Sequence, residues 1–297
     1  MTQPAYTRPL GASGLTVSPL GVGTNKWSYG KNDAPVLQAF QASVDAGICF
    51  FDTAEIYGFG KSERLLGECL RQTGRQAVIA TKFVPLPTHQ LGKALDASLS
   101  RLGLQTLDLY YIHFPLGRIE ALMDQMAQAF QQGKIRAVGV SNYSASQMRQ
   151  AADRLARYNI PLAANEVQYN LLHRQPEVNG VLDACRELNV ALVAYVPLAS
   201  GRMAASLPQP VAGRPSSSSS RKGHNELQQV LRTIAERRGK SVSQVTLNWL
   251  LRRDEHIIPI PGSTSASHAL NNAEALNWEL SDEEFTAIDQ ASSPLKQ

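Results

Sequence analysis

The sequence predicts an α/β fold, a (β/α)8 TIM barrel with an N-terminal β-hairpin and extra helices near the C-terminus. Three observations predict it. Short apolar runs alternate with amphipathic stretches eight times within 297 residues, the pattern of a parallel sheet wrapped by helices. Polar residues suited to chemistry stand at the ends of these runs, where such barrels build active sites. The fingerprint of the rival open sheet is incomplete. Its first turn would be Gly21-Val22-Gly23-Thr24-Asn25-Lys26, which lacks the third glycine.

The elements follow in order. Tyr6 to Val17 places the turn signal Gly11-Ala12-Ser13-Gly14 between extended stretches and reads as a β-hairpin. The first barrel strand is Pro19 to Gly23. Its helix runs from Asp33, a good N-cap, to Ala46, with Gly47 as the stop. The second strand, Ile48 to Asp52, precedes a helix from Ser62 to Thr73. The third, Val78 to Lys82, precedes one from Thr88 to Arg101. The fourth, Asp108 to His113, precedes one from Arg118 to Gln132, stopped by Gly133. The fifth, Ala137 to Ser141, leads to a helix from Ser144 to Tyr158. The sixth, Ala164 to Gln168, leads to one from Gln175 to Leu188. The seventh is Ala191 to Tyr195. Two helices, Glu226–Arg238 and Ser241–Arg252, precede the eighth strand, Ile257 to Ile260. Helices from Ala266 to Leu276 and from Asp282 to Gln290 end the chain.

Ser200 to Asn225 interrupts this rhythm. It holds Pro208, Pro210, Pro215 and the serine run Ser216 to Ser220. Too polar to bury, it reads as a mobile loop after the seventh strand, either a lid or a solvated excursion. No composition shift marks a domain boundary, so residues 1–297 are expected to form a single domain.

Composition narrows the function. A hydrophobic content of 43% supports a large core. The net charge of +4 is spread without a basic block, which argues against nucleic acid as a partner. Cys49, Cys69 and Cys185 are odd in number and widely spaced, which suits a reducing compartment and gives neither a zinc knuckle nor a redox pair. His89, His224 and His256 lack metal-ligand spacing. The N-terminus has no apolar signal core, and no apolar run is long enough to span a membrane. A cytoplasmic protein is expected. No residue pattern fixes an oligomeric state.

Asp52, Lys82 and His113 each end a predicted strand, and Tyr57 follows five residues after Asp52. Parallel strands in one barrel would crowd all four at one rim. A phenol is a poor acid at neutral pH, but a neighbouring ammonium favours its anion. Lys82 can supply that ammonium, Asp52 can hold it, and His113 can donate a hydrogen bond to the oxygen that receives the proton. Such a set polarises a carbonyl and protonates the resulting alkoxide. None of the four supplies hydride, so the chemistry requires a cofactor. Trp27, in the loop after the first strand, could line an apolar substrate pocket beside Tyr57 and His113. A metal-dependent barrel hydrolase is disfavoured, because the rim lacks a His-x-His pair and clustered carboxylates.

Asp52-Thr53-Ala54-Glu55-Ile56-Tyr57-Gly58 resembles the aldo-keto reductase signature. The resemblance continues through Lys82, Tyr111-Ile112-His113, Gly139-Val140-Ser141-Asn142, Glu166-Val167-Gln168-Tyr169-Asn170, Ala194-Tyr195-Val196-Pro197-Leu198 and Ile260-Pro261-Gly262-Ser263. It covers nearly the whole chain in order. It implies NAD(P)H-dependent reduction of aldehydes or ketones, reversible toward alcohol oxidation, with the tetrad Asp52, Tyr57, Lys82 and His113 and with Tyr57 as proton donor. It implies that Ser141, Asn142 and Gln168 hold the nicotinamide amide and that Tyr195 stacks on the ring. Gly23, Thr24, Asp52, Pro197, Leu198, Ser200, Gly262, Ser263, His268 and Asn272 complete the cofactor site. The family often has serine where Val196 stands.

NADPH-preferring members often carry a lysine near the position of Gly262 and an arginine at that of His268. Neither is present. NADP(H) is still the expected cofactor, with NAD(H) as the alternative. The family also includes potassium-channel β subunits, so a regulatory or assembly subunit on the same scaffold is the rival reading.

Overall fold

The computed structural model describes residues 7–30, 33–86, 89–201 and 218–293. Eight strands follow one another around a single sheet, each parallel to the next: β3 (Val22–Gly23), β4 (Phe50–Asp52), β5 (Val78–Phe83), β6 (Leu107–Ile112), β7 (Ile135–Ser141), β8 (Leu162–Gln168), β9 (Ala191–Tyr195) and β10 (Ile257–Pro259). The last strand meets the first at a parallel bridge between Gly23 and Gly262. Two backbone hydrogen bonds support that seam, Gly21 N to Pro259 O at 2.9 Å and Gly23 N to Pro261 O at 3.1 Å. The seam needs glycine. A Cβ on Gly23 would stand 2.9 Å from Ile260 O, and one on Gly21 would stand 2.7 Å from the Phe50 ring.

Strand alternation separates two cores. Phe50, Ala80, Leu109, Tyr111, Ala137, Ala164, Val193 and Ile258 pack together as one buried cluster inside the barrel. Their neighbours Phe51, Ile79, Tyr110, Ile112, Val138 and Leu192 join the larger cluster beneath the helices. Several inward positions are alanine, which leaves room for Phe50 and Tyr111 at the crowded axis. The hairpin of β1 (Arg8–Pro9) and β2 (Thr16–Val17) adds Leu10, Leu15 and Val17 to the inner cluster and plugs one end of the barrel. The plug sits close. At Gly11, with φ +55°, a Cβ would stand 2.3 Å from Ala163 O.

Each strand feeds a helix: α1 (Ala34–Asp45), α2 (Lys61–Thr73), α3 (Leu91–Leu102), α4 (Ile119–Gln131), α5 (Ala145–Ala156), α6 (Val181–Leu188), α7 (Ser218–Arg238), α8 (Val242–Arg253), α9 (Ala266–Ala273) and α10 (Asp282–Ser292). Capping boxes start α5, α8 and α10 through Ser144/Gln147, Ser241/Gln244 and Ser281/Glu284. Each satisfies two orphan backbone donors. No described helix is long and apolar enough to cross a membrane.

The expected elements are present with shifted ends. β7 and β8 each start two residues before the expected position, and β3 keeps only Val22–Gly23. The expected sixth helix splits. Pro176 sits in a 3-10 turn, Gln175–Glu177, and α6 begins only at Val181. The expected loop 200–225 is corrected in part. α7 begins at Ser218, because nothing after Pro215 forbids a helix. Residues 202–217 of that loop, Tyr6 of the hairpin and Thr88 of the third helix lie outside the described residues.

Candidate active site

Asp52 ends β4, Lys82 is the fifth residue of β5, and His113 directly follows β6. The register aligns Gly23 with Asp52 and Lys82 with Tyr111, so the strand ends share one rim. Tyr57 arrives from the loop after β4, where its amide donates to Ala54 O at 3.0 Å. The structure brings all four together. The Lys82 ammonium donates to Asp52 Oδ1 and to Thr53 O at 2.9 Å. It stands 3.5 Å from the Tyr57 hydroxyl. The Tyr57 and His113 rings meet edge to face, with centroids 6.0 Å apart.

A fifth residue joins them. Glu166, on β8, places Oε2 3.1 Å from Lys82 Nζ. Lys82, Asp52 and Glu166 are all at most 2% exposed. One buried cation therefore faces two buried carboxyls. Asp52 Oδ2 and Glu166 Oε2 each lack a hydrogen-bond partner among the described residues. The 3.1 Å contact to Lys82 is an ion-pair distance with poor hydrogen-bond alignment.

Burial governs the titration of this cluster. It pushes Glu166 up to about 8, aided by the Asp52 charge and opposed by Lys82. It raises Asp52 as well, against the pull of Lys82. For Lys82 the desolvation cost is outweighed by Asp52 and Glu166, which hold the ammonium charged. Burial and then Lys82 push His113 down to about 3, so its imidazole is neutral near pH 7. Tyr57 departs from the sequence expectation. Desolvation raises its hydroxyl further than the Lys82 charge lowers it, so the phenol stays protonated.

Tyr57, His113, Asp52 and Glu166 border a cavity of about 510 Å³ at this rim. One wall is a hydrogen-bonded set from β7 and β9. Tyr195 donates to Asn142 Oδ1 at 3.0 Å, and Asn142 Nδ2 donates to Ser141 Oγ at 2.9 Å and to His113 O at 3.2 Å. Ser141 in turn donates to Glu166 O at 3.0 Å. Asn142 has φ +63°, a conformation that asparagine tolerates better than most residues. The cavity is also bordered by Thr264 and His268, at the N-terminal end of α9, and by Asn271 and Asn272 further along it. Free amides and the helix dipole favour an anion at such a place.

The Aldo/keto reductase family profile matches residues 19–293. The chain belongs to the aldo/keto reductase family. It is 34% identical over 319 residues to the chloroplastic pyridoxal reductase of Arabidopsis thaliana, covering 94% of this chain and 84% of the relative. It is 34% identical over 293 residues to the Schizosaccharomyces pombe aldo-keto reductase yakc, designated NADP(+), covering 89% and 84%. A solved aldo-keto reductase of Klebsiella pneumoniae in complex with NADPH superposes with a TM-score of 0.79. That protein is 26% identical, and the match covers 98% of this chain and 95% of that one.

Within this aldo/keto reductase, most residues expected at the cofactor border the cavity. They are Gly23, Thr24, Asp52, Ser141, Asn142, Tyr195, Pro197, Leu198, Ser200, Gly262, His268 and Asn272. Four expected site residues do not: Lys82, which is fully buried behind the wall, Gln168, Ser263 and Trp27. Gln168 is half-buried at the end of β8 outside the cavity wall, and Glu166, two residues deeper on the same strand face, holds the wall position instead. Ser263 is 1% exposed and its hydroxyl donates to Ser265 O at 3.3 Å. Trp27 is 1% exposed, sealed beside Phe51, with its indole N–H donated to Ser263 O at 2.5 Å. It braces the seam loops and offers no face to a substrate.

Of the wall residues that sequence reasoning missed, two carry an ionisable side chain, Glu166 and Lys26. Glu166 was legible only as part of a motif. Lys26 also borders the cavity, and its side chain passes about 4.0 Å from where a Gly262 Cβ would sit. The stem of a lysine from the loop after β3 thus passes Gly262.

Proposed function

We propose that this chain reduces aldehydes and ketones with NADPH, that Tyr57 is the proton donor, and that the reaction runs reversibly toward alcohol oxidation. One observation carries the reading. A buried ammonium, pinned by Asp52, stands 3.5 Å from a phenol that opens onto the cavity. The cavity's polar groups fit the cofactor. Tyr195, Asn142 and Ser141 offer amide partners beside the tetrad, while Lys26, Thr264, His268 and the α9 N-terminus offer donors for phosphates. The NADP(+) designation of the fission-yeast relative and the NADPH bound in the Klebsiella neighbour support the same choice. When bound, the nicotinamide supplies hydride.

The chain's own residues handle the proton. Tyr57 keeps its hydrogen at neutral pH and is therefore loaded for donation. Lys82 stabilises the phenolate left after transfer to the carbonyl oxygen, and solvent at the cavity refills it. Neutral His113 carries one ring N–H that can donate to the same oxygen. Asp52 keeps Lys82 charged and in place.

Tyr57→Phe tests this assignment. It keeps the ring and removes the acid, so kcat should fall by roughly 10²–10⁴-fold. NADPH affinity, read by fluorescence titration, should change little. Turnover close to wild type, with chemistry shown to limit the rate, would remove Tyr57 from the role.

A further inference from the structure

Glu166 is a buried titratable group that the proton-transfer scheme leaves unused. It is 2% exposed, and it shares one ammonium with Asp52. Two carboxylates and one lysine would leave a buried net negative charge, which is costly without a proton. Asp52 has the closer hold on Lys82, so the proton belongs on Glu166. Once protonated, Glu166 can donate to Asp52, which pairs the two otherwise orphaned oxygens.

Position makes this proton consequential. Glu166 borders the same cavity as Tyr57 and His113. Lys82 Nζ lies 3.1 Å from Glu166 and 3.5 Å from the Tyr57 hydroxyl. Reacting atoms must approach to roughly 3–3.5 Å. A nicotinamide that reduces a carbonyl held by Tyr57 must therefore enter Glu166's immediate electrostatic range. The oxidised ring carries a positive charge that the reduced ring lacks.

We propose that Glu166 senses the oxidation state of the bound cofactor, staying protonated beside the neutral reduced ring and ionising beside the cationic oxidised one. Binding of NADP+ then releases the Glu166 proton to solvent, and binding of NADPH does not. This rests on the NADP(H) reading above. The surrounding groups favour Glu166 as the sensor. Lys82 is held cationic. Tyr57 and Tyr111 are held neutral by burial and by the nearby carboxyls, and Tyr195 by burial and Glu166. His113 is neutral, and Asp52 is engaged with Lys82. Glu166, pushed up to about 8, is the member of this cluster that titrates near working pH.

The sign of the effect follows by linkage. A cationic ring lowers the carboxyl's pKa in the complex, so affinity for NADP+ rises with pH until about 8 and is level above it. The 2′-phosphate titrates in both cofactors and cancels in their ratio. The experiment measures dissociation constants of NADP+ and NADPH without substrate from pH 6 to 9. Calorimetry in buffers of different ionisation enthalpy counts the protons released. Expected is a release near pH 7 that is larger with NADP+ than with NADPH by a fraction of one proton per site, the 2′-phosphate contributing equally to both. The ratio Kd(NADP+)/Kd(NADPH) should fall by roughly tenfold for each unit by which the ring lowers the carboxyl. Glu166→Gln should make the ratio independent of pH. A flat ratio in the wild type, or an unchanged slope in Glu166→Gln, would overturn the proposal alone. Failure to bind either cofactor would overturn the NADP(H) reading and this inference with it.

Discussion

At the scale of residues, the site is organised around one ammonium. Lys82 touches Asp52, Glu166, Thr53 O and the Tyr57 hydroxyl, and in the proposed mechanism its charge is what makes a protonated phenol useful as an acid. Lys82→Met should therefore reduce kcat by at least about 10²-fold, at the lower end of general-acid effects. It should also destabilise the fold by about 3–5 kcal/mol, because two buried carboxyls lose their cation. Steady-state kinetics and a denaturant melt read both, and wild-type turnover would sink the role. Cofactor discrimination is the second residue-scale question. Lys26 near Gly262 and His268 on α9 both border the cavity, and we propose that they meet the 2′-phosphate. A hydrogen bond to a charged group contributes roughly 1.5–3 kcal/mol. Lys26→Ala should thus lower the NADPH-to-NADH ratio of kcat/KM by about tenfold or more. His268→Arg should raise it through bidentate pairing. A ratio unmoved by Lys26→Ala would place that ammonium elsewhere. Asp52, Lys82 and His113 were legible in the sequence because each ends an apolar run, and Tyr57 because it lies five residues past Asp52. Lys26 was not, because it lies far from Gly262 in sequence and only closure of the barrel brings them together. Glu166 was obscured by alternation: it and Gln168 share a strand face, and only depth along the barrel separates them.

At the scale of elements, buried ion clusters fasten the C-terminal helices to the barrel. Arg174 is fully buried. It pairs with Glu177 at 2.5 and 2.7 Å, with Asp289 at 2.6 Å and with Ser292 Oγ at 2.7 Å, and it lies 4.8 Å from the Trp249 ring centroid. This joins the loop after β8 to α8 and α10. Arg174→Met should destabilise the fold by less than the about 3–5 kcal/mol of an uncompensated buried charge, because Arg253 at 2.6 Å and the Tyr169 hydroxyl at 2.8 Å still hold Glu177. Burial alone would raise Glu177, but its hydrogen bonds from Arg174 and its partners bring it to about 2, below the ordinary 4.5. A depressed carboxyl stabilises the fold above its unfolded pKa and loses that contribution as pH falls toward the folded value. Wild-type stability should therefore decline between pH 4.5 and 2. Glu177→Gln should flatten that part of the acid-unfolding curve, and an identical curve would show that the cluster does not set acid stability. The eight strand–helix units were legible because periodicity of 2 and 3.6 survives any register. Element ends were less so. The expected sixth helix breaks at Gly180, whose φ of +80° separates the 3-10 turn from α6, and α7 extends into a serine-rich stretch whose composition reads as loop. The turn after β9 was invisible: Val196, Ala199 and Ser200 all have positive φ. Nothing in valine's sequence preference announces that conformation.

At the scale of the whole molecule, the barrel is a ring with one weak joint. Its neighbouring strands pair over two to five residues, except where β3 meets β10 through a single bridge and two amide bonds. Gly23, Thr24, Ile260, Pro261 and Gly262 line both that joint and the cavity. A ligand seated there touches the two ends of the ring at once and works as a clasp. Binding only the closed form adds stability as RT ln(1 + [L]/Kd), about 2.7 kcal/mol at a hundredfold excess over Kd. The amides of Gly21 and Gly23 should therefore exchange with deuterium sooner than those of central β6 and β7 in the free protein, and should slow most when NADPH is added. Uniform slowing across all strands would mean that the joint opens only with the whole barrel. If the joint opens alone, the enzyme's resistance to proteolysis and heat in a cell would track its nucleotide supply, and the pool of reductant would set how long each copy lasts as well as how fast it turns over.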